Sequence, residues 1–337
     1  MTQAYRFSVA PMLDYTDRHF RVLMRQISRA SLLYTEMVVA QAIHHANQEA
    51  DAGSRAARLE RLIGFDPIEQ PLALQLGGDD PALLAEAAGL AAERGFDEIN
   101  LNVGCPSEKV RQGRFGACLM ADPQRVAACV QAMGHASGLP ITVKHRIGID
   151  HLDSYEALLG FVDTVTAGGA CRLAVHARKA WLNGLDPKQN RTIPPLRYDL
   201  VHQLKRDRPA LTIELNGGLG TLEECLVQLQ RVDGVMVGRA VYEHPLRWSS
   251  VDAAIHERPS QEPLKASTVV RGLLPHAERW QQSGGRLWAI ARHLVHLVEG
   301  VPGARHWRAQ LSREAGARDA GPEVLERAAL QLEARGL

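Results

Sequence analysis

Asn100-Leu101-Asn102-Val103-Gly104-Cys105-Pro106-Ser107 is a hydrophobic strand running into a loop that carries one cysteine between a glycine and a proline. Glycine opens backbone conformations closed to other residues and proline fixes φ, so the thiol is held in one orientation just past a strand end. From there a thiol can donate a proton, attack an electrophile or bind a metal. Seven further runs rich in Val, Ile and Leu also end in a polar or glycine residue. The eight together span 7–12, 32–38, 72–77, 98–103, 141–146, 172–178, 211–216 and 234–238. Amphipathic stretches at helical spacing lie between most of them, at 80–94, 123–133, 154–166 and 221–230. Strand and helix alternating in this way predict an α/β fold, a (β/α)8 TIM barrel, with active-site residues at the C-terminal strand ends.

The stretch 41–53 is polar and rich in His and Asn, and it reads as an irregular insertion. Beyond the eighth strand, Pro245, Pro259 and Pro263 punctuate a polar stretch before helical patterns resume at 286–299 and 304–315. In the first of these, Leu287, Ile290, Ala291, Leu294, Leu297 and Val298 fall on one face. The expected division is a catalytic barrel over 1–257 and an all-helical domain over 258–337.

Composition narrows the function. Of 337 residues, 45% are hydrophobic and 23% charged, ordinary values for a well-packed globular protein. No apolar run reaches the ~18 residues of a membrane span and the N-terminus lacks a signal-peptide core, so a cytoplasmic, membrane-free protein is expected. The five cysteines are scattered with no C-x-x-C pair, which disfavours a metal site or a disulfide framework. Four of them read as plain core thiols, leaving Cys105 as the chemical one.

The seventh strand ends in Asn216-Gly217-Gly218-Leu219-Gly220, and Thr221-Leu222-Glu223-Glu224 then opens a helix with capping-box spacing. The eighth ends in Gly238-Arg239. In barrels these two loops commonly hold a phosphate, because glycines allow close backbone approach, so a phosphate-bearing cofactor is expected. Gln75, Lys144 and His176 end other strands, and a lysine at such a mouth stabilises negative charge on a reduced ring system.

Taken together, Ala10-Pro11-Met12, Leu74-Gln75-Leu76-Gly77, Asn102-Val103-Gly104-Cys105-Pro106, Val143-Lys144-His145-Arg146, Val175-His176-Ala177-Arg178, Asn216-Gly217-Gly218 and Gly238-Arg239-Ala240 resemble the tRNA-dihydrouridine synthases. Ala180 to Leu185, Pro187 to Arg191 and Pro302 to Arg308 resemble the A subgroup of that family. The resemblance implies bound FMN reduced by NADPH, and 5,6-dihydrouridine formed in the tRNA D-loop at positions 20 and 20a. It places Pro11, Met12 and Leu13 along the flavin, and Gln75, Lys144 and His176 on its ring or ribityl chain. Asn216, Gly217, Gly218, Gly238 and Arg239 then take the phosphate end, and Asn102 contacts the target uridine. Lys188, Arg191, Arg305 and Arg308 contact tRNA, and Cys105 donates the proton to C5. A thiol with an ordinary pKa near ~8.5 is mostly protonated at neutral pH yet acidic enough for that step. Lys109 and Arg111 nearby bear on its protonation state.

The formal net charge is only +1, but the charge is unevenly spread. Between His176 and Arg197, Arg178, Lys179, Lys188, Arg191 and Arg197 face the single acid Asp186, and Lys109, Arg111 and Arg114 face Glu108 in the cysteine loop. Such patches suit RNA phosphates. Two rival readings are an FMN barrel acting on a free pyrimidine, of the dihydroorotate or dihydropyrimidine dehydrogenase type, and a non-catalytic RNA-binding barrel. A monomer is the expected state.

Overall fold

The computed structural model describes residues 3–259 and 263–337. Residues 260–262, within the stretch expected to link barrel and helices, lie outside it, as do the first two. Parallel strands run in ring order: β1 Phe7–Val9, β2 in two pieces (Leu33–Tyr34 and Val38–Val39), β3 Leu72–Gly77, β4 Glu98–Val103, β5 Ile141–Arg146, β6 Arg172–His176, β7 Thr212–Asn216 and β8 Gly234–Val237. β1 pairs with β8 in the register Phe7 to Val235, and a bridge from Ser8 to Leu32 closes the barrel. The break in β2 is a bulge: Tyr34 lies opposite Ala73 and Val38 opposite Leu76, so the β2 side carries one extra residue. There the Thr35 hydroxyl accepts the Gln75 N–H at 3.0 Å.

Side chains alternate across each strand, and here the alternation separates two chemistries. Leu72, Leu74 and Leu76 of β3 join the large apolar core with Leu84, Ala87 and Ala91 from the helix that follows. The opposite column is polar and fills the barrel: Glu98, Asn100 and Asn102 of β4, Thr142 of β5, and Glu214 and Asn216 of β7 are all buried. Arg172 anchors the floor of this interior, its guanidinium shared between Glu98 and Glu214, with Ser8 donating to Glu214 at 2.6 Å.

The surrounding helices are α1 Arg18–Ile27, α2 Ala40–Asn47, α3 Ala52–Ile63, α4 Pro81–Glu93, α5 Glu108–Gln112, α6 Pro123–Ser137, α7 Tyr155–Ala167, α8 Tyr198–Asp207, α9 Leu222–Gln228, α10 Arg239–Glu243 and α11 Val251–His256. Side chains cap them where the sequence suggests: Asp80 on α4, Asp122 on α6, Ser154 on α7, and the Thr221 and Glu224 capping box on α9. The stretch 41–53 corrects an expectation, because it is mostly helical. Its polar residues are structural: His44 and Asn47 both bond Glu86 of α4, at 2.6 and 2.7 Å, and Asp51 caps α3.

The C-terminal part is wholly helical in its regular structure: α12 Ala266–Gly272, α13 Leu274–Gln282, α14 Trp288–Leu294, α15 Ala304–Gly316 and α16 Glu323–Glu333. The stripe from Leu287 to Val298 is buried throughout, as the spacing requires. This region docks on the barrel through α1, whose N-cap Asp17 takes Arg292 at 2.7 Å and lies 3.0 Å from His293 Nε2. His19 Nδ1 meets His276 Nε2 at 2.9 Å beside them. Burial holds both rings well below the ordinary histidine pKa, to about 3 for His19 and about 4 for His276, so the pair is neutral.

Candidate active site

The loop after β4 is fixed from below and from both sides. Asn102 Oδ1 accepts the main-chain N–H of Gly104 at 3.1 Å and of Cys105 at 3.0 Å. The Cys105 carbonyl accepts the Ala117 N–H at 2.9 Å. That close approach requires glycine at Gly116, where φ is +77° and a Cβ would stand 2.6 Å from the Cys105 oxygen. Cys105 itself is half-buried, which suits a thiol that must reach a substrate. Of the other cysteines only Cys129 and Cys225 are buried. Cys118 is half-buried and Cys171 exposed, so a uniform core role for these four does not hold.

Arg146 braces this loop to the next. It is 3% exposed, donates Nε to Gly104 O at 2.9 Å, and gives Nη1 to the carbonyls of Lys179 and Asn190, at 3.1 and 3.0 Å. Asn190 in turn closes the loop after β6 on itself through Trp181 and Leu185. Arg111 adds a second strut, donating to Leu182 O at 2.6 Å. Arg146 and Asn190 carry no role in the sequence reading. The only signal for Arg146 is a guanidinium two residues beyond Lys144 at a strand end, and sequence cannot show that it points at backbone carbonyls.

Lys144, His176 and Asn216 stand at the neighbouring strand ends. Lys144 is half-buried and donates to Asn216 Oδ1 at 3.1 Å, while Asn216 Nδ2 donates to Met236 O at 2.7 Å. Burial first, and then Arg146, pull the Lys144 ammonium down to about 8. The ring of His176 is held well below its ordinary value by burial and by Arg146, Lys144, Arg178 and Arg191, so it is neutral. It lies against Gly217, where φ is +108° and a Cβ would stand 2.5 Å from His176 Cδ2. Gly238 faces Met12, and Pro11 and Met12 are half-buried at the end of β1. Leu13 is 69% exposed and projects from the rim. Gln75 is more enclosed than a freely offered ligand group: it is 1% exposed, donates to Asn100 and accepts from Asn102.

The basic stretch after β6 is less positive than its sequence suggests. Asp153 neutralises Lys179 at 2.6 Å and Asp199 neutralises Arg197 at 2.7 Å. Lys188 and Arg191 stay exposed without an ion pair among the described residues. Arg239 is exposed at the start of α10, and Arg305 and Arg308 lie on α15. Arg178 donates Nη1 to the carbonyls of Thr192 and Pro194, and its buried Nε has no partner among the described residues. Burial and the nearby Arg239 lower the pKa of both Arg178 and Arg191, so positive charge gathers here.

A family model described as dihydrouridine synthase matches residues 8–333, spanning the barrel and the helical region. The chain belongs to the dihydrouridine synthase family. It is 54% identical over 321 residues to the tRNA-dihydrouridine(20/20a) synthase of Synechocystis sp., covering 95% of this chain and 92% of that one. The enzyme of the same name from Escherichia coli K12 is 51% identical over 324 residues, 96% of this chain and 90% of its own. That of Shewanella oneidensis is 51% identical over 320 residues, with 95% and 92% covered. Among solved structures morphinone reductase is a distant match, with a TM-score of 0.49 and 13% identity over 80% of this chain and 91% of its own.

Proposed function

We propose that the protein reduces the C5=C6 bond of uridines 20 and 20a in the tRNA D-loop to 5,6-dihydrouridine, with FMN as its cofactor and NADPH as the electron donor. The observation that carries this reading is the half-buried Cys105, on a loop whose main chain is fixed by Asn102 and Arg146 at a mouth that gathers Lys144, Arg178 and Arg191. When bound, a reduced flavin supplies a hydride to C6 of the uracil. The chain supplies the rest. Cys105 gives a proton to C5 as general acid. Lys144 places positive charge where negative charge develops, and the neutral ring of His176 offers a hydrogen bond without adding charge.

The donor set fits that cofactor. Lys144 has only an amide partner, and Gly217, at positive φ, brings backbone close to the His176 ring while Gly218, also at positive φ, packs on Leu196 and Tyr198. Asn216, Gly238 and Arg239 would complete the phosphate end, with Gln75 and residues 11–13 beside the ring system. A target uridine must leave its stack, which takes a few kcal/mol. Exposed apolar groups on the mouth loops, Leu13, Tyr15 and Ile193, suit unstacked bases. Lys188 and Arg191 on the barrel, with Arg305 and Arg308 on the helical region, would hold the backbone of the tRNA, and Asn102 would contact the uridine. In this reading residues 1–257 are the catalytic unit and 258–337 the tRNA-binding unit of a cytoplasmic monomer. No helix among the described residues is long and apolar enough to cross a membrane, and no cluster among them could hold a metal.

The test is to incubate flavin-loaded protein with NADPH and unmodified tRNA and to map dihydrouridine by position. Cys105→Ala should keep flavin reduction and lose product formation by about 10²-fold or more. Full activity in that variant would refute the proton-donor role.

A further inference from the structure

The amide of Asn102 begins a hydrogen-bond chain that runs down the inside of the barrel. Its oxygen accepts from two main-chain N–H groups, so its Nδ2 is left to donate, and it does so to Gln75 Oε1 at 2.9 Å. Gln75 then donates Nε2 to Asn100 Oδ1 at 2.8 Å, and Asn100 donates Nδ2 to Thr142 Oγ1 at 3.0 Å. The Thr142 hydroxyl in turn donates to Glu98 Oε1 at 3.0 Å, with the Ile99 carbonyl at 3.3 Å as a second acceptor. Glu98 is paired with Arg172.

Every link points the same way, and both ends enforce the direction. The N–H groups of Gly104 and Cys105 can only donate, and a carboxylate on a guanidinium can only accept. Asn100 is fully buried and Thr142 is 1% exposed, so water cannot stand in for a missing partner. Turning over Gln75 or Asn102 would set donor against donor and acceptor against acceptor at their contacts, and turning over Asn100 would set its N–H groups against those of Gln75 and draw the Thr142 hydroxyl away from Glu98. A reversed Asn102 would aim its own N–H groups at those of Gly104 and Cys105 and push the loop away.

We propose that Asn100 and Thr142 are positioning residues for the reaction: through Gln75 they hold the Asn102 amide in the one orientation that anchors the Cys105 loop. The consequence for turnover rests on the role given to Cys105 above, but the consequence for the loop does not. It would also explain why a barrel interior usually filled with aliphatic side chains is polar along this column.

Thr142→Val removes the hydroxyl with little change of shape and suits a strand, and Thr142→Ser restores it. Two measurements on the flavin-loaded protein separate the questions: the rate of Cys105 alkylation by iodoacetamide, mapped by peptide mass, and turnover of unmodified tRNA. In Thr142→Val the alkylation rate should shift at least about threefold and kcat fall about tenfold, with KM for tRNA unchanged, and Thr142→Ser should return both. Unchanged alkylation and kcat in Thr142→Val, or failure of Thr142→Ser to restore them, would overturn the proposal. Should Thr142→Val not fold, Asn100→Leu, which leaves Gln75 without its acceptor, is read by the same criteria. A wild-type protein that is alkylated at Cys105 yet forms no dihydrouridine overturns the functional reading, while the alkylation rates still decide the positioning role.

Discussion

Lys144 reaches across the top of the barrel to Asn216, its Nζ donating to Oδ1 at 3.1 Å, with no carboxylate in ion-pairing distance among the described residues. The half-buried ammonium stands beside Arg146 with only an amide to face it. An ammonium without a carboxylate partner suits an anionic ligand and is sensitive to alkali.

Burial and Arg146 lower the Lys144 pKa from 10.5 to about 8. Between those values the unfolded chain binds a proton that the folded, flavin-free protein has released, so its stability should rise with pH across that window. Lys144→Met should flatten the rise. An anionic ligand needs the charged lysine, so FMN affinity should weaken once the pH passes about 8. Flavin fluorescence titrations at pH 7 to 10 check this, and a level affinity would exclude Lys144 from the site.

At the floor, Arg172 is the only cation between Glu98 and Glu214 among the described residues. Arg172→Met leaves two carboxylates facing each other in the barrel and should destabilise the fold by about 3–5 kcal/mol near neutral pH. Burial already raises the Glu214 pKa, and acid would protonate the unpaired carboxyls, so the deficit should shrink as pH falls. Urea unfolding at pH 8 and pH 5.5 would show it. Equal stability of the two proteins at pH 8 would contradict the account.

Gly217 combines φ of +108° with a Cβ position 2.5 Å from the His176 ring. Gly217→Ala should displace that ring and cost roughly tenfold or more in flavin retention, while the circular dichroism spectrum stays that of the parent. Normal flavin content after purification would show that the glycine only turns the chain.

Arg305 and Arg308 lie far along the chain from the barrel mouth and make no ion pair among the described residues. Replacing both by alanine should weaken tRNA binding, leave flavin content normal and reduce the slope of log K against log salt by roughly 1 to 2. An unchanged slope would remove the helical region from the tRNA contact.

Much of the architecture was legible because a parallel barrel repeats its signal. The eight expected runs coincide with the strands, the capping box at Thr221 and Glu224 forms as spaced, and the stripe from Leu287 to Val298 is buried. Local reasoning failed where polar residues serve distant partners. His44 and Asn47 look like loop residues until Glu86 is seen beside them, about forty positions along the chain. The positive excess after β6 was overstated because Asp153 and Asp199 lie outside the counted stretch and fold back onto Lys179 and Arg197.

The sequence by itself determined the period of strand and helix, the loop that presents Cys105 and the family motifs at the strand ends, since all of these are carried by residues within a few positions of one another. Only the tertiary structure decided which atoms those residues offer. Arg146 spends its guanidinium on the carbonyls of Gly104, Lys179 and Asn190, and Asn102 turns its oxygen to the Cys105 N–H because a chain of amides ends on Glu98. Hydrogen-bond direction is settled by partners brought together from different strands, and no local pattern of residues records it.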